Sequence, residues 1–219
     1  MPTILITGTG RGIGRKLAEL FVREGYEVLA ASRNGPSIYA TESVTMDVAD
    51  RSSIEAAARG LEGRAIDVLV NNAGIFGERG TGLHAFDDAS WHEVLDVNVL
   101  GPARVCAAFL PHLEAGTQKR IVTISSRMGS MAANSGGEMV YRSSKAAVNA
   151  VMKTLSIDLA DRGITSTMVH PGWVRTDMGG ENASISVDES AEGIRDVIIG
   201  LNSDTNGAFL NHDGSPVPW

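Results

Sequence analysis

The sequence is poor in the features that mark several classes of protein. Its 219 residues include one cysteine, Cys106, which excludes an internal disulfide framework and is typical of a reducing compartment. The net charge is −7 and no run of Lys or Arg offsets it, which argues against a nucleic-acid-binding surface. We find neither a basic-then-apolar leader nor an apolar stretch long enough to span a membrane. These shortages predict a cytoplasmic globular protein whose partners include neither nucleic acid nor membrane.

Metal ligands are also scarce. The histidines, among them His170, show no spacing typical of a metal site, and no cysteine pair supports them. The one thiol lies in a helical pattern near Val105 and Phe109, which predicts a buried, inert side chain. We therefore expect no metal site in this protein.

The sequence does contain an alternation of strand and helix patterns from one end to the other. Predicted strands cover residues 3–7, 27–32, 43–46, 66–70, 120–124, 165–169 and 208–210. Predicted helices cover residues 12–24, 52–61, 88–100, 102–114, 141–160 and 188–201. Continuous apolar strands between amphipathic helices are typical of a parallel sheet covered on both faces. The sequence thus predicts one α/β domain over residues 1–219, a doubly wound Rossmann fold with a mostly parallel, seven-stranded sheet and helices on both faces.

One connection is shorter than such a fold usually has. Nine residues, 33–41, separate the second and third predicted strands. A crossover between parallel neighbours usually needs about a dozen residues or more. We expect the helix at this place to be missing or reduced to a turn.

A glycine-rich turn joins the first predicted strand to the first predicted helix. The run from Thr7 to Gly14 reads Thr-Gly-Thr-Gly-Arg-Gly-Ile-Gly. Small residues at such a turn let the backbone approach a pyrophosphate, and the helix end supplies N–H groups and a favourable dipole. We therefore predict a dinucleotide site that includes Gly8, Gly12, Ile13 and Gly14.

The residue at the end of the second strand indicates which dinucleotide binds. An acidic side chain there would bind the ribose hydroxyls, but the sequence has Arg33. Arginine matches a 2′-phosphate because it is planar, always charged and able to bind through two N–H groups. Arg11, inside the glycine turn, is expected at the same corner. The two together favour NADP(H) over NAD(H), although a solvent-exposed charge is the alternative for each arginine alone.

Tyr141 and Lys145 stand four residues apart on a predicted helix, and therefore on one face of it. A phenol beside an ammonium loses its proton more readily, because the cation favours the phenolate. The pair thus predicts an acid/base group that is usable at physiological pH. The alternative is the solvated start of a helix, and other motifs must decide between the two.

Seven motifs occur in a fixed order along the chain. They are the glycine turn with Thr7, Gly8, Gly12 and Gly14; Asp47-Val48; Asn71-Asn72-Ala73-Gly74; Asn98; Ser126; Tyr141 with Lys145; and Pro171-Gly172 followed by Val174 and Thr176. In this order they resemble the short-chain dehydrogenase/reductase family over essentially the whole chain. The short second crossover, the run from Tyr141 to Asn149 and the segment from Gly207 to Trp219 resemble its C-factor-like and sniffer-like carbonyl reductases.

The resemblance implies a role for each matched residue. Tyr141 would be the general acid/base, and Lys145 would lower its pKa and hold the nicotinamide ribose. Ser126 would hydrogen-bond the substrate oxygen, with Ser125 as its rival, and Asn98 would order a water that relays protons to Lys145. The residues implied to bind the cofactor are Gly8, Arg11, Gly12, Ile13, Gly14, Arg33, Asp47, Val48, Asn72, Ala73, Gly74, Tyr141, Lys145, Pro171, Gly172, Val174 and Thr176.

The implied reaction is hydride transfer between NADP(H) and a carbonyl or secondary-alcohol substrate, as in a carbonyl reductase. The alternatives are an NAD-linked short-chain alcohol dehydrogenase and a dinucleotide-binding signalling or regulatory protein. Substrate choice is expected to depend on loops 77–87, 127–138 and 177–188, and the small polar residues of the last loop predict an open or mobile cleft. Pairing through helices 102–114 and 141–160 would make a homodimer or homotetramer.

Overall fold

One sheet organises the part of the chain that the computed structural model describes, residues 1–33, 35, 38–80 and 86–219. Its strands are β1 (Thr3–Thr7), β2 (Glu27–Ser32), β3 (Glu42–Thr45), β4 (Val68–Asn71), β5 (Arg120–Ile124), β6 (Thr165–His170) and β7 (Phe209–Asn211). The spatial order is β3-β2-β1-β4-β5-β6-β7, and every neighbouring pair is parallel. The predicted Rossmann fold with its seven-stranded sheet is confirmed.

Helices cover both faces of this sheet. They are α1 (Gly12–Arg23), α2 (Arg51–Gly60), α3 (Asp88–Leu95), α4 (Gly101–Ala115), α5 (Met139–Asp158) and α6 (Val187–Gly200). Successive strand residues face opposite sides, so Leu5 packs in the core with Phe109 of α4, whereas Ile4 packs in the core with Phe21 of α1. These side chains are fully buried, and each contributes roughly 1.5–3 kcal/mol of hydrophobic stabilisation. Burial on both faces explains why the strands are continuous apolar runs.

The connection between β2 and β3 contains no α-helix in its described residues, in agreement with the prediction from its length. Thr41 closes the connection: its N–H donates to the Val28 carbonyl at 3.0 Å, and its Oγ1 accepts the Val28 N–H at 3.1 Å. Asn34, Pro36 and Ser37 lie outside the described residues. The chain therefore reaches the neighbouring parallel strand without a full crossover helix in the part that is described.

The two helices predicted at 88–100 and 102–114 form one continuous run, because a π-helical turn, Asp96–Leu100, joins α3 to α4. Gly101 does not end the helix. A Cβ at this position would lie 3.1 Å from the Val48 carbonyl oxygen, so the glycine lets the helix pass close to the segment before α2. The π-turn holds Asn98 in a buried position, and such turns occur frequently at functional sites.

This joined run corrects one expectation from the sequence. The 28 residues of Asp88–Ala115 have a window of mean hydropathy 1.3, so the helix is long and apolar enough to cross a membrane by length and composition alone. The sequence pattern alone does not reveal this stretch, because it predicts two separate helices. In the fold, Val105, Phe109 and Leu113 of this run are fully buried in the core beside the sheet, as in the core helix of a globular domain.

Candidate active site

The glycine turn between β1 and α1 forms a cradle that excludes side chains. A Cβ on Gly14 would lie 2.3 Å from Nδ2 of Asn72 and 2.4 Å from the Gly8 carbonyl oxygen. Gly8 and Gly12 have φ angles of +72° and +55°, in the left-handed region that favours glycine. Arg11, the N-cap residue, makes no capping side-chain hydrogen bond to the first N–H groups of α1. A bare backbone at an uncapped helix N-terminus fits the pyrophosphate of a dinucleotide.

Residues at the end of β4 hold this turn in place. Nδ2 of Asn72 donates to the carbonyl oxygens of Thr7 and Gly8 at 2.8 and 3.2 Å. Oγ1 of Thr7 accepts the N–H groups of Asn72 and Ala73, both at 3.0 Å. The strand order reverses between β1 and β4, and open α/β sheets bind ligands at such a reversal. The two sequence motifs therefore build one edge that can hold the cofactor.

The segment after β6 reaches the same turn. Its predicted site residues are Pro171, Gly172, Val174 and Thr176. A Cβ on Gly12 would lie 3.5 Å from Cγ2 of Thr176, so the end of the segment adjoins the cradle. Gly172 has a φ of +86°, and a Cβ on it would lie 2.4 Å from Cδ1 of Ile185. Val174 forms a β-bridge to the same isoleucine, which thus supports the segment from behind.

Asp47, Val48 and Ile13 lie near the carboxyl ends of β3 and β1. The Asp47 carboxylate accepts the Ala49 N–H, and the Asp47 N–H donates to the Ser53 hydroxyl, both at 3.0 Å. Val48 is buried, and Ile13 packs partly buried on the face that α1 covers. Asp47 therefore orders the turn that leads from β3 into α2.

The two arginines predicted to select the cofactor are both exposed. Arg33 directly follows β2. Nη1 of Arg11 donates to Oδ2 of Asp177 at 2.8 Å, and 82% and 74% of these side chains are exposed. Arg11 is thus engaged by the segment after β6, through a contact that solvent weakens.

Tyr141 and Lys145 lie on the buried face of α5, with 7% and 6% of their surfaces exposed. Nζ of Lys145 donates to the Ile124 carbonyl oxygen at 2.9 Å and lies 5.7 Å from the centre of the Tyr141 ring. A Cβ on Gly74 would lie 3.7 Å from the same Nζ. The amine therefore stands between the end of β5 and the loop after β4.

Burial governs the protonation of both groups. It lowers the pKa of Lys145 to about 8. It also raises the pKa of Tyr141 to about 12, against the opposing effects of a hydrogen bond with Ser126 and the charge of Arg79. This rise is opposite to the lowered pKa that the sequence predicts. Desolvation of the buried phenol outweighs its neighbours, and the cation that acts on it here is Arg79.

The two serines after β5 have different surroundings. Oγ of Ser125 is buried and donates to Oδ1 of Asn149 at 2.6 Å, which ties it to α5. The Ser126 side chain acts to lower the pKa of Tyr141, and its Oγ accepts the Met128 N–H at 3.1 Å. Ser126 is therefore the serine that lies beside the phenol.

Asn98 ties the loop after β4 to α5. Its Oδ1 accepts the Ile75 N–H at 2.9 Å, and its Nδ2 donates to the Ile75 carbonyl at 2.8 Å and to Oγ of Ser144 at 3.0 Å. A Cβ on Gly74 would lie 3.2 Å from the Asn98 Oδ1, so the amide and the Lys145 amine border the same glycine. One cluster thus contains the four predicted residues Asn98, Ser126, Tyr141 and Lys145.

Two residues beside this cluster, Phe76 and Arg79, were not predicted from the sequence. The Phe76 ring stacks on the Tyr141 ring with centres 4.4 Å apart and planes inclined by 22°. The Arg79 guanidinium carbon lies 4.2 Å from the centre of the Phe76 ring. The sequence signal that could have identified them is their position shortly after the Asn-Asn-Ala-Gly motif. Residues 81–85 of the predicted substrate loop 77–87 lie outside the described residues.

Three exposed side chains contact the segment after Thr176. The contacts are Arg11 to Asp177, Arg79 to the Met178 carbonyl and Nε1 of Trp173 to the Gly179 carbonyl. Exposed polar contacts of this kind contribute little, roughly 0–1 kcal/mol for an ion pair. The mobility expected for this segment stays a prediction.

Within the described part of the chain, no group of three or more His, Cys, Asp or Glu side chains could hold a metal ion. His84 lies outside that part. Burial raises the pKa of the Cys106 thiol to about 11, and Nδ2 of Asn71 lies 3.4 Å from its sulfur. The thiol is therefore protonated at neutral pH and is a poor nucleophile.

Comparison with known proteins places this cluster in a family. A family model described as short chain dehydrogenase matches residues 2–185. The chain belongs to the short-chain dehydrogenase/reductase family. This member is 44% identical over 155 residues to the C-signal protein of Myxococcus xanthus, an alignment that covers 70% of this chain and 93% of the relative.

Solved structures of short-chain dehydrogenases/reductases have the same fold. An NADPH-bound carbonyl reductase from chicken fatty liver has a TM-score of 0.91 and 32% identity, with 100% of this chain and 99% of that chain covered. The carbonyl reductase Sniffer of D. melanogaster has a TM-score of 0.92 and 32% identity, with both chains fully covered. The protein is thus a short-chain oxidoreductase that uses a nicotinamide dinucleotide, which the glycine cradle fits.

Proposed function

We propose that this short-chain dehydrogenase/reductase is an NADP(H)-dependent carbonyl reductase, which interconverts a carbonyl compound and its secondary alcohol. The observation that carries the proposal is the pair of Tyr141 and Lys145 on the buried face of α5, with the amine 5.7 Å from the centre of the phenol ring. The likeness to two carbonyl reductases, one of them NADPH-bound, supports it. The bound nicotinamide would supply the hydride, and the side chains would manage the proton.

Tyr141 donates a proton to the substrate oxygen in reduction and takes one from the alcohol in oxidation. Because the pKa of Tyr141 is about 12, the phenol holds its proton at neutral pH and is ready to donate it. The hydroxyl of Ser126 donates a hydrogen bond to the same oxygen as negative charge develops there. Such a pre-aligned donor contributes about 3 kcal/mol.

Lys145 holds the ribose hydroxyls of the cofactor and exchanges protons with solvent. The pKa of Lys145 is about 8, so its amine changes protonation state near physiological pH. Asn98 orders a water beside Gly74, where its amide and the Lys145 amine border the same space. That water is the route by which protons reach Lys145.

Replacement of Tyr141 by phenylalanine tests the reaction. The variant keeps the ring that stacks on Phe76 but loses the proton donor. We expect NADPH-dependent reduction of a panel of ketones to fall by about a thousandfold, with NADPH affinity in calorimetry nearly unchanged. Retained turnover would reject Tyr141 as the acid.

A calorimetric titration with NADPH and NADH side by side tests the cofactor. Arg33 and Arg11 would bind the 2′-phosphate, and Arg11 would exchange its exposed partner Asp177 for it. We expect Arg33→Ala to weaken NADPH binding roughly tenfold or more and NADH binding little. Arg59→Ala, which removes an exposed arginine from α2, is the matched control. Equal losses for both cofactors would mean that Arg33 is merely a surface charge, and tighter binding of NADH than of NADPH by the wild type would favour an NAD-linked alcohol dehydrogenase.

The similarity to C-signal favours a second candidate, a dinucleotide-binding signalling protein. The complete set of Asn98, Ser126, Tyr141 and Lys145 argues against it, because a sensor needs no proton chemistry. Tight cofactor binding without turnover on any carbonyl or alcohol of a broad panel would move the assignment to this candidate.

A homodimer or homotetramer formed through α4 and α5 is a further part of the proposal. Ala146, Ala147 and Ala150 of α5 are small enough to allow a second helix to approach closely. Light scattering at micromolar concentration tests this assembly, and a single monomeric peak would rule out the proposed oligomer.

A further inference from the structure

A positive charge and two aromatic rings form a stack that ends at the catalytic cluster. Phe76 lies 4.4 Å from Tyr141 between ring centres, and the Arg79 guanidinium carbon lies 4.2 Å from the Phe76 centre. The distance from the Arg79 guanidinium carbon to the centre of the Tyr141 ring is therefore at most the sum of these two distances. A cation over an aromatic face is held there by the ring quadrupole.

Other charged groups lie near Tyr141 along the chain or next to Ser126. Lys145 lies on the same helix, and its Nζ is bonded to the Ile124 carbonyl. Glu138 precedes α5, and its Oε1 accepts the Gly80 N–H at 3.4 Å. Arg127 follows Ser126. Among these cations, Lys145 can lose its charge near neutral pH, whereas an arginine keeps its charge throughout.

No ion pair within the described residues neutralises Arg79. Its polar contact there is with the Met178 carbonyl, a neutral oxygen. Many other arginines of this acidic chain pair with carboxylates, as Arg64 does with Glu27 and Glu42. The charge of Arg79 is thus left to act on the ring stack.

We propose that Arg79 is a positioning residue that favours the phenolate of Tyr141 through the intervening ring of Phe76. The proposal rests on the proposed function, in which Tyr141 exchanges the proton. The direction agrees with electrostatics: the charge of Arg79 lowers the pKa of Tyr141, while burial raises it. Arg79 thereby offsets part of the cost of ionising a buried phenol, and Phe76 fixes the distance.

The test is the pH profile of alcohol oxidation, in which the phenolate takes the proton. The probe is 1-phenylethanol with NADP⁺, because an uncharged alcohol cannot form an ion pair with Arg79. We expect Arg79→Gln to move the ascending limb of kcat/KM, along which the phenolate forms, to higher pH by roughly half a unit to one unit. Arg79→Lys should restore part of the shift, and high salt should shrink it.

Arg142→Gln is the matched control. It removes the same charge one residue from Tyr141, but its guanidinium bonds the Gly137 carbonyl and the Ser135 hydroxyl, at 3.0 and 2.9 Å. In Arg142→Gln, kcat/KM should rise at the same pH as in the wild type. An equal shift in this control would reduce Arg79 to general surface charge and overturn the proposal. A lower maximal kcat/KM in Arg79→Gln with no shift along the pH axis would also overturn the proposal. It would mean that Arg79 only holds the segment at Met178 in place.

A second measurement does not depend on turnover. The Cζ chemical shift of isotope-labelled tyrosine reports ionisation of each phenol in the NADP⁺ complex, and Tyr141→Phe identifies the signal. We expect Arg79→Gln to delay the ionisation of Tyr141 to higher pH. An unmoved titration would refute the proposal even in an active enzyme. A moved titration in a protein without turnover would support it and reject only the proposed reaction.

Discussion

The two walls of the cleft are held by different kinds of contact. The cradle wall, residues 7–14 with 71–74, is fixed by short backbone contacts and by bonds such as those of Asn72 to the Thr7 and Gly8 carbonyls. The outer wall, residues 171–180, is tied across the cleft by exposed polar side chains, as in the Arg11–Asp177 pair. The cradle wall is therefore preformed for the cofactor, whereas the contacts that tie the outer wall across the cleft are individually weak.

The largest effect should come from a methyl group placed in the cradle wall. Gly14→Ala puts a Cβ 2.3 Å from Nδ2 of Asn72 and 2.4 Å from a backbone oxygen, so the turn must shift. We expect a loss of about 3 kcal/mol or more in the free energy of unfolding, together with loss of cofactor binding. Gly10→Ala, which meets nothing within 4 Å, is the control for denaturant unfolding and calorimetry. Equal stability of the two variants would contradict a rigid cradle.

The pH dependence of the free energy of unfolding should report the burial of the Lys145 amine, which lies next to the cradle wall. Burial lowers the pKa of Lys145 from 10.5 to about 8 in the folded state. Between these values the unfolded chain binds the extra proton, so stability rises with pH from about 8 to 10.5 and is level below 8, where both states are protonated. Relative to Lys145→Met, wild type should gain up to about 3 kcal/mol from pH 7 to 10.5. Parallel pH curves in urea unfolding would show that the amine is not desolvated.

Matched threonines compare the two walls directly. Oγ1 of Thr7 accepts two backbone N–H groups in the cradle wall, whereas Oγ1 of Thr176 accepts one, from Gly179. Thr7→Val leaves two N–H groups unpaired and should cost about 2 kcal/mol; Thr176→Val should cost about 0.5 kcal/mol. Urea unfolding measures both, and equal losses would erase the distinction between the walls.

The smallest effect should come from the outer wall. Asp177→Asn removes the ion pair with Arg11, whose side chains are 74% and 82% exposed. We expect the free energy of unfolding to change by less than about 0.5 kcal/mol and the remaining difference to vanish at high salt. A loss above about 1 kcal/mol would mean that the outer wall is held as firmly as the cradle wall.

Much of the fold and part of the site were accessible from the sequence, because they depend on local patterns. Apolar runs predicted the strands of the sheet, and the nine residues between β2 and β3 predicted that the described part of this connection holds no α-helix. Glycines with positive φ, such as Gly8 and Gly12, were recognisable as a turn. The spacing of Tyr141 and Lys145 placed both on one buried helix face, as the structure has them.

Other features depend on contacts between distant segments and could not be read locally. The stack of Phe76 on Tyr141 joins residues 65 positions apart along the chain. The raised pKa of Tyr141 arises from burial, which the spacing of Lys145 does not reveal. The helices predicted at 88–100 and 102–114 are continuous through Gly101, whose close approach to Val48 of a distant segment could not be read locally.

The π-turn at Asp96–Leu100 has a consequence for how this gene can change. A π-turn holds one residue more than an ordinary helical turn, and a single deletion would restore the regular helix. The same deletion would rotate one flank relative to the other by about 100°, the angle between successive residues. Asn98 would then lose its bonds to Ile75 and Ser144. The helix is thus expected not to tolerate the loss of a codon here.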